Sequence, residues 1–195
     1  MGWICTYKAK EQSLTDFFIN HGVLSWSDEN PNVYKVLDGA LVNLSEYYAA
    51  VECIHKETGE RRVWAAVILV TFHQDTHYNF CYKDMDETVG PCAYNCPGRI
   101  LDLLTPTDYE YAIGWREKCR QNLEIKANGR KFIASLKIGS MVRMDNPIKF
   151  SDGYCSNELT VSRKEGKSLV FNGRYVIRRR HLLDLINEGS AHLVI

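Results

Sequence analysis

A cluster of acidic residues in the middle of the chain has the composition of a divalent-cation site. Asp84, Asp86 and Glu87 are close in sequence, and His73 and His77 precede them. Carboxylates at alternate positions after a strand can converge on Mg²⁺ or Mn²⁺, hard cations that prefer oxygen ligands and assist phosphodiester hydrolysis. The same residue types more often cap turns or pair with a neighbouring lysine. The cluster therefore leaves two alternatives open, a structural role and a metal-dependent hydrolase.

Cysteines near this cluster raise the alternative of a zinc site. Cys92 and Cys96 form one short pair, with Cys81 close by. A structural zinc signature combines two such pairs of Cys or His, and this stretch contains one. The seven cysteines of the chain are an odd number, and we expect them to be reduced thiols. We expect no cofactor, with Mg²⁺ or Mn²⁺ at the acidic cluster and Zn²⁺ at Cys92 and Cys96 as the alternatives.

Positive charge is concentrated in the last third of the chain. The net charge is zero, yet residues 1–125 contain 11 basic and 18 acidic residues, and residues 126–181 contain 13 basic and 4 acidic ones. Alternation along a strand predicts Arg174, Arg178 and Arg180 on one face. Such a face is typical of proteins that contact phosphates, and Tyr154, Phe171 and Tyr175 could stack on bases. The predicted binding residues are Arg163, Lys164, Lys167, Arg174, Arg178 and Arg180.

The elements that must position these residues are clearest in the first half. Tyr47–His55 and Arg61–Phe72 are rich in Val, Ile, Tyr and Trp, which predicts an antiparallel hairpin. Val63–Val70 is apolar at every position, so other layers should cover both faces of the sheet. Tyr78–Tyr82 predicts a third strand.

Helix signals flank this sheet. Ser13 and Asp16 resemble a capping box, and Pro97 suits a first helical turn. Thr105 is a candidate N-cap for a longer helix, for which Asn128-Gly129 is a plausible end.

The pattern after residue 130 predicts short strands separated by turns. Asn172-Gly173 favours a two-residue hairpin turn, and 181–188 predicts a short helix. The predicted strands are Phe132–Leu136, Met141–Met144, Ile148–Phe150, Glu158–Arg163, Ser168–Phe171, Arg174–Arg179 and Ala191–Ile195.

We therefore predict an α+β protein with two domains. Residues 1–126 form an acidic domain, an antiparallel sheet covered by helices, and residues 130–195 form a small, basic, SH3-like β-barrel. The boundary is placed near 126–131, where the charge sign and the hydrophobic period change together. The longest apolar run is too short for a bilayer helix and the chain start lacks a secretory signal, which predicts a cytoplasmic protein with no membrane contact.

Several motifs together resemble an uncharacterised family of bacterial, plasmid and phage proteins. They are Met1-Gly2-Trp3, Tyr47-Tyr48-Ala49-Ala50-Val51, the Tyr82–Thr88 segment with Gly90-Pro91-Cys92, Cys96-Pro97 with Ile100–Thr107, and more loosely Pro147–Gly153. The resemblance covers most of residues 1–120. It implies a mobile-element setting and supplies no catalytic residues.

These observations favour a non-enzymatic binding protein over an enzyme. The basic barrel would contact nucleic acid or an acidic host protein. The alternatives are that it docks on the acidic first domain or on a neighbouring subunit, or that its charge is simply solvated. The alternative is a phosphodiester hydrolase that uses Asp84, Asp86 and Glu87, with His73 or His77 assisting. The ligand and the oligomeric state stay open.

Overall fold

The computed structural model describes residues 3–6, 13–19, 31–43, 46–72, 79–87 and 93–194. These residues form antiparallel sheets and helices, which confirms the predicted sheet-plus-helix class. The strands are β1 (Trp3–Thr6), β2 (Asn32–Val42), β3 (Glu46–His55), β4 (Arg61–Phe72), β5 (Asn79–Asp86), β6 (Met141–Lys149), β7 (Cys155–Glu165), β8 (Ser168–Phe171), β9 (Tyr175–Arg178) and β10 (Ala191–Val194). The helices are α1 (Leu14–Phe18), α2 (Gly98–Leu101), α3 (Glu110–Ser135) and α4 (Arg179–Asn187).

The chain divides into two compact units, Met1–Leu123 and Glu124–Ile195, and the division falls within α3. Among the helices of the described residues, none is both long enough and apolar enough to cross a membrane.

The first unit contains a five-stranded antiparallel sheet in the order β1-β5-β4-β3-β2. Side chains alternate between the two faces of a strand, so the continuous apolar run of β4 supplies both faces. On one face, residues of β3 and β4 pack with Phe17 and Phe18 of α1. On the other face, they pack with Ile100 of α2 and with Trp115 and Cys119 of α3. Both faces of this part of the sheet are covered, as the pattern predicts.

Two predicted helix starts have different outcomes. Ser13 Oγ accepts a hydrogen bond from the Asp16 backbone N–H at 3.0 Å, and the Asp16 carboxylate accepts from the Ser13 N–H, which confirms the capping box. Thr105, by contrast, caps no helix, because α3 begins at Glu110. Among the described residues, β5 pairs with β4 only from Ala66 onward, so no described strand pairs with Val63 on that side. Thr105 Oγ1 accepts from the Val63 N–H and donates to its carbonyl, and this contact keeps the segment out of the helix.

The second unit contains a five-stranded antiparallel sheet in the order β10-β6-β7-β8-β9. Its core includes Leu136, the residue directly after α3, and Leu182 from α4. The predicted strand Phe132–Leu136 is wrong, because α3 continues through Ser135. Gly129 is not a helix end either. A Cβ at Gly129 would lie 2.7 Å from Leu183 Cδ1, so this glycine allows α4 to pack closely on α3.

The β8–β9 hairpin also differs in detail from the prediction. Asn172 and Gly173 both have positive φ, as the predicted turn requires, but Phe171 pairs with Tyr175, so the loop has three residues and not two. The predicted strand Arg174–Arg179 is shorter, since β9 ends at Arg178 and α4 begins at Arg179.

Candidate functional site

The two units differ in how many of their arginines are paired with a carboxylate. Each arginine among the described residues of the first unit lies within 4.0 Å of a carboxylate; they are Arg61, Arg62, Arg99, Arg116 and Arg120. In the second unit Arg143, Arg163 and Arg174 also have such partners, on Glu158, Glu165 and Asp152. Among the described residues, no carboxylate lies within this distance of Arg130, Arg178, Arg179 or Arg180. The unbalanced guanidinium groups are therefore Arg130 on α3 and three consecutive arginines, Arg178–Arg180, at the end of β9 and the start of α4.

The first unit contains a cavity of about 740 Å³. The charged side chains that line it are balanced between acidic and basic groups. Tyr34, Trp64 and Cys53 contribute to its lining. Burial raises the pKa of the Cys53 thiol, which disfavours the nucleophilic thiolate. Arg61, Arg62 and Arg116 also line the cavity, and each is already bound to a carboxylate. This cavity offers no surplus charge with which to attract an ionic ligand.

Glu87, one of the predicted catalytic carboxylates, lies beside this cavity and is almost completely buried. Its two oxygens accept hydrogen bonds from Nε and Nη2 of Arg116, each at 2.6 Å. Arg116 Nη1 donates in addition to the Thr105 carbonyl oxygen at 2.6 Å. A bidentate pair of this kind fixes the carboxylate geometrically. The arrangement gives Glu87 a structural contact that links the end of β5 to α3.

The other predicted metal ligands are only partly described. Asp84 and Asp86 occupy alternate positions of β5, opposite Ile68 and Ala66 of β4. Their side chains lie outside the described part of the structure, as do His73 and His77, so the hydrolase hypothesis stays a prediction.

The predicted zinc pair is described at one position only. Cys96 is fully buried in the core beneath α2 and α3, and burial raises the pKa of its thiol. Zinc binds the thiolate, so this environment disfavours Cys96 as a ligand. Cys92 lies outside the described residues. Among the side chains that the structure does describe, no three of the types His, Cys, Asp and Glu are grouped so as to hold a metal ion.

Four predicted binding residues lie together at one end of the second sheet, which we call the basic end. It consists of Lys164, Lys167, Arg178 and Arg180, all exposed and, among the described residues, without a carboxylate within 4.0 Å. Strand register explains the grouping, because Ser168 of β8 pairs both with Glu165 of β7 and with Arg178 of β9. The Arg179 N–H also donates to the Lys167 carbonyl at 2.8 Å, which places the start of α4 beside the β7–β8 turn.

The face prediction is correct for Arg178 and wrong for Arg180. In β9, Tyr175 and Ile177 are buried, whereas Val176 and Arg178 are exposed on the opposite face. Arg180 is exposed as well, but it lies in the first turn of α4, so strand alternation does not apply to it. Arg163 is adjacent to the basic end and is paired with Glu165 at 2.9 Å.

Arg174 lies at the other end of the sheet, in the β8–β9 loop. It contacts the ring and hydroxyl of Tyr175, and its guanidinium lies 3.1 Å from the Asp152 carboxylate. Asp152 also accepts hydrogen bonds from the Tyr154 N–H and the Tyr175 hydroxyl. The bond from Tyr154 is the main cause that lowers the pKa of the Asp152 carboxyl, and the Tyr175 bond and the charge of Arg174 lower it further. Phe171 is fully buried, and Tyr175 is buried beneath Tyr154, with ring centroids 4.5 Å apart. Of the predicted stacking residues, only Tyr154 is exposed.

Two arginines that sequence reasoning did not select are close to the basic end. Arg130 lies on α3 and Arg179 is the first residue of α4. Both line a small cavity together with Arg180. Sequence reasoning does not identify Arg130, because Asn128-Gly129 favours a helix end just before it. The helical spacing of Lys126, Gly129, Arg130 and Ile133 was the available signal.

Comparison with known proteins finds similarity to a family of unknown function. A family model described as a domain of unknown function (DUF6927) matches residues 106–179, so the chain is similar to an uncharacterised family over that range. The range contains the predicted binding residues from Arg163 to Arg178, and Arg180 follows it directly. No curated protein matches the chain, and no solved structure does. The motifs before residue 106 and the mobile-element setting stay predictions.

Proposed function

We propose that the protein is a non-enzymatic nucleic-acid-binding protein whose second unit contacts phosphates through the basic end. The observation that carries this proposal is the pairing contrast. Described arginines of the first unit are neutralised by carboxylates, whereas Arg178 and Arg180 are exposed and have none within 4.0 Å among the described residues. Unpaired, exposed cations on a rigid strand end and helix start are suited to a chain of phosphates, because each contact releases condensed counterions.

The proposed scaffold for this surface is an SH3-like barrel. The strand order β10-β6-β7-β8-β9, with α4 between β9 and β10, supports that proposal. Register shifts between Arg143 and Ile148 and between Val161 and Arg163 would supply the strong bends that a small barrel needs. We place this activity in the cytoplasm and propose that the protein belongs to a mobile element.

An acidic protein is the competing partner, and salt dependence distinguishes the two. Binding to regularly spaced phosphates weakens steeply as salt rises, with a slope of about −0.7 per contact for single strands and about −0.9 for duplexes. We would measure the fluorescence anisotropy of labelled single strands, duplexes and poly-glutamate over a salt series. The test variant is R178E/R180E. The control is K149E. Lys149 of β6 is exposed and pairs with Cys155, at the end of β7 that is opposite to Lys164.

We expect R178E/R180E to weaken nucleic-acid binding at least 10-fold and to reduce the salt slope by about one to two contacts, while K149E stays close to the unchanged protein. Failure of the unchanged protein to bind any strand at low salt would refute the proposal. A loss of binding free energy in K149E that is half or more of the loss in R178E/R180E would also refute it, because K149E changes half as much charge and the effect would then be one of net charge. Stronger binding to poly-glutamate than to nucleic acid would replace it with the acidic-protein function.

A further inference from the structure

A small cavity lies between α3 and α4 in the second unit. Leu183 and Asn187 of α4 pack closely against Gly129 of α3. The cavity lies beside this contact, toward the C-terminal end of α3, and has a volume of about 240 Å³. The residues that line it are Arg130, Ile133, Ala134, Arg179, Arg180 and Leu183.

The accessible surface of this cavity is almost wholly apolar. Ile133, Ala134 and Leu183 provide aliphatic groups, and the arginines contribute mainly the hydrocarbon stems of their side chains. Arg179 Nε is buried and does not reach this surface. An apolar surface in contact with water favours an apolar occupant, because binding removes both surfaces from water.

The rim of the cavity carries positive charge. Arg130 and Arg180 are exposed, and among the described residues no carboxylate lies within 4.0 Å of either guanidinium. None of the described residues that line the cavity is acidic. An apolar centre with a cationic rim is complementary to an apolar group that is flanked by negative charges.

We propose that this cavity binds one large apolar side chain from an acidic segment of a partner protein, an inference that goes beyond the proposed function. An apolar cavity of about 150 Å³ accommodates a benzene ring, so this larger one has room for an aromatic side chain. Complete small-molecule sites occupy about 300–1,000 Å³, which favours the anchor residue of a larger partner here. Asp or Glu on either side of that anchor would pair with Arg130 and Arg180.

A nucleic-acid strand is less suited to this cavity than to the basic end. Phosphate oxygens need hydrogen-bond donors at the surface that receives them, and the inner surface of the cavity is almost wholly apolar. Arg180 belongs to both the cavity and the basic end, so it does not distinguish the two ligands. Arg130 and Ala134 line the cavity and lie outside the basic end, which makes them the positions to vary.

The experiment uses three labelled seven-residue peptides. The first has a central Phe with Glu at every other position, the second replaces the Phe by Ser, and the third replaces each Glu by Gln. Dissociation constants are measured by fluorescence anisotropy at low salt, and binding of a labelled single strand of DNA is measured in parallel.

Two variants and two controls test the cavity. A134L fills it with a good helix former, and R130Q removes a charge from its rim. A127L is the control for A134L, because Ala127 is also exposed on α3, two turns earlier, and does not line the cavity. K149Q is the control for R130Q, because Lys149 is an exposed cation elsewhere in the second unit.

We expect the acidic Phe peptide to bind the unchanged protein at least 10-fold more tightly than the Ser peptide and at least 3-fold more tightly than the Gln peptide. A134L should reduce its affinity to that of the Ser peptide, whereas A127L should keep the difference. R130Q should weaken the acidic Phe peptide about 2- to 5-fold, and more than K149Q does. Neither A134L nor A127L should change the affinity for the strand.

Equal affinity for the Phe and Ser peptides, or equal effects of A134L and A127L, would overturn the proposed anchor site and leave the proposed function intact. Equal affinity for the Glu-flanked and Gln-flanked Phe peptides would assign the cavity to a neutral apolar ligand instead. If A134L abolished self-association in analytical ultracentrifugation, the occupant would be a second copy of the chain. If A134L weakened strand binding as much as peptide binding, the cavity would belong to the nucleic-acid surface; either result would overturn the partner proposed here.

Discussion

Replacing Glu87 by Gln tests whether this buried carboxylate has the structural role that its contacts indicate. The Glu87 side chain is 2% exposed and that of Arg116 is 16% exposed, so the substitution removes the charge partner of a largely desolvated guanidinium. Breaking a buried ion pair typically costs about 3–5 kcal/mol. The glutamine oxygen keeps one of the two hydrogen bonds, and Arg116 keeps its bond to the Thr105 carbonyl. We therefore expect a loss of about 2–3 kcal/mol, or a decrease in Tm of roughly 5–10 °C.

A double-mutant cycle measured by urea unfolding gives the coupling directly. The variants are E87Q, R116M and the combination of both, and we expect the double variant to lose about 1–3 kcal/mol less than the sum of the single losses. Glu60→Gln is the matched control, because the Glu60–Arg62 pair is exposed, and this substitution should leave Tm unchanged within error. Additive losses, or an E87Q loss below about 1 kcal/mol, would show that the pair does not hold α3 to the sheet and would return Glu87 to the candidates for a catalytic role.

Two further predictions concern the first unit. A Cβ at Gly39 would lie 2.8 Å from Cζ of the buried Tyr47, so we expect Gly39→Ala to destabilise the protein by about 1–3 kcal/mol in urea unfolding. Gly114→Ala is the control, because a Cβ there would have no neighbour within 4 Å, and it should be neutral or stabilising. Equal effects of the two substitutions would contradict the close-packing argument. Burial raises the pKa of the Cys96 thiol in the folded protein. As the pH rises above about 8.5, this thiol therefore ionises first in the unfolded chain. Its contribution lowers the free energy of unfolding by up to about 1.4 kcal/mol per pH unit. Cys96→Ala should flatten that alkaline slope, and an unchanged slope in pH-dependent urea unfolding would rule this contribution out.

Local hydrogen bonds and side-chain alternation made several elements predictable. Ser13 and Asp16 satisfy each other's backbone N–H groups, a contact confined to four residues of sequence. The continuous apolar run of β4 predicts cover on both faces, and the structure shows α1 on one side and α2 with α3 on the other. Arg178 is exposed because alternation along β9 places it opposite the buried Ile177.

Helix limits were less predictable, because distant partners changed the local preference. Asn128-Gly129 is typical of a helix end, yet α3 continues through it to Ser135, and Leu183 and Asn187 of α4 pack against Gly129. Thr105 is typical of an N-cap, yet it binds the backbone of Val63, 42 residues away.

The amino-acid sequence by itself determined the separation of charge along the chain and most of the strands, because composition and side-chain period are properties of neighbouring residues. Tertiary structure alone decided which cations remain unpaired. Glu87 binds Arg116 across 29 residues and Asp152 binds Arg174 across the sheet, while Arg130 and Arg180 lie on one small cavity. Ion pairing depends on distances in space between residues far apart in sequence, and these distances are set only when each unit folds.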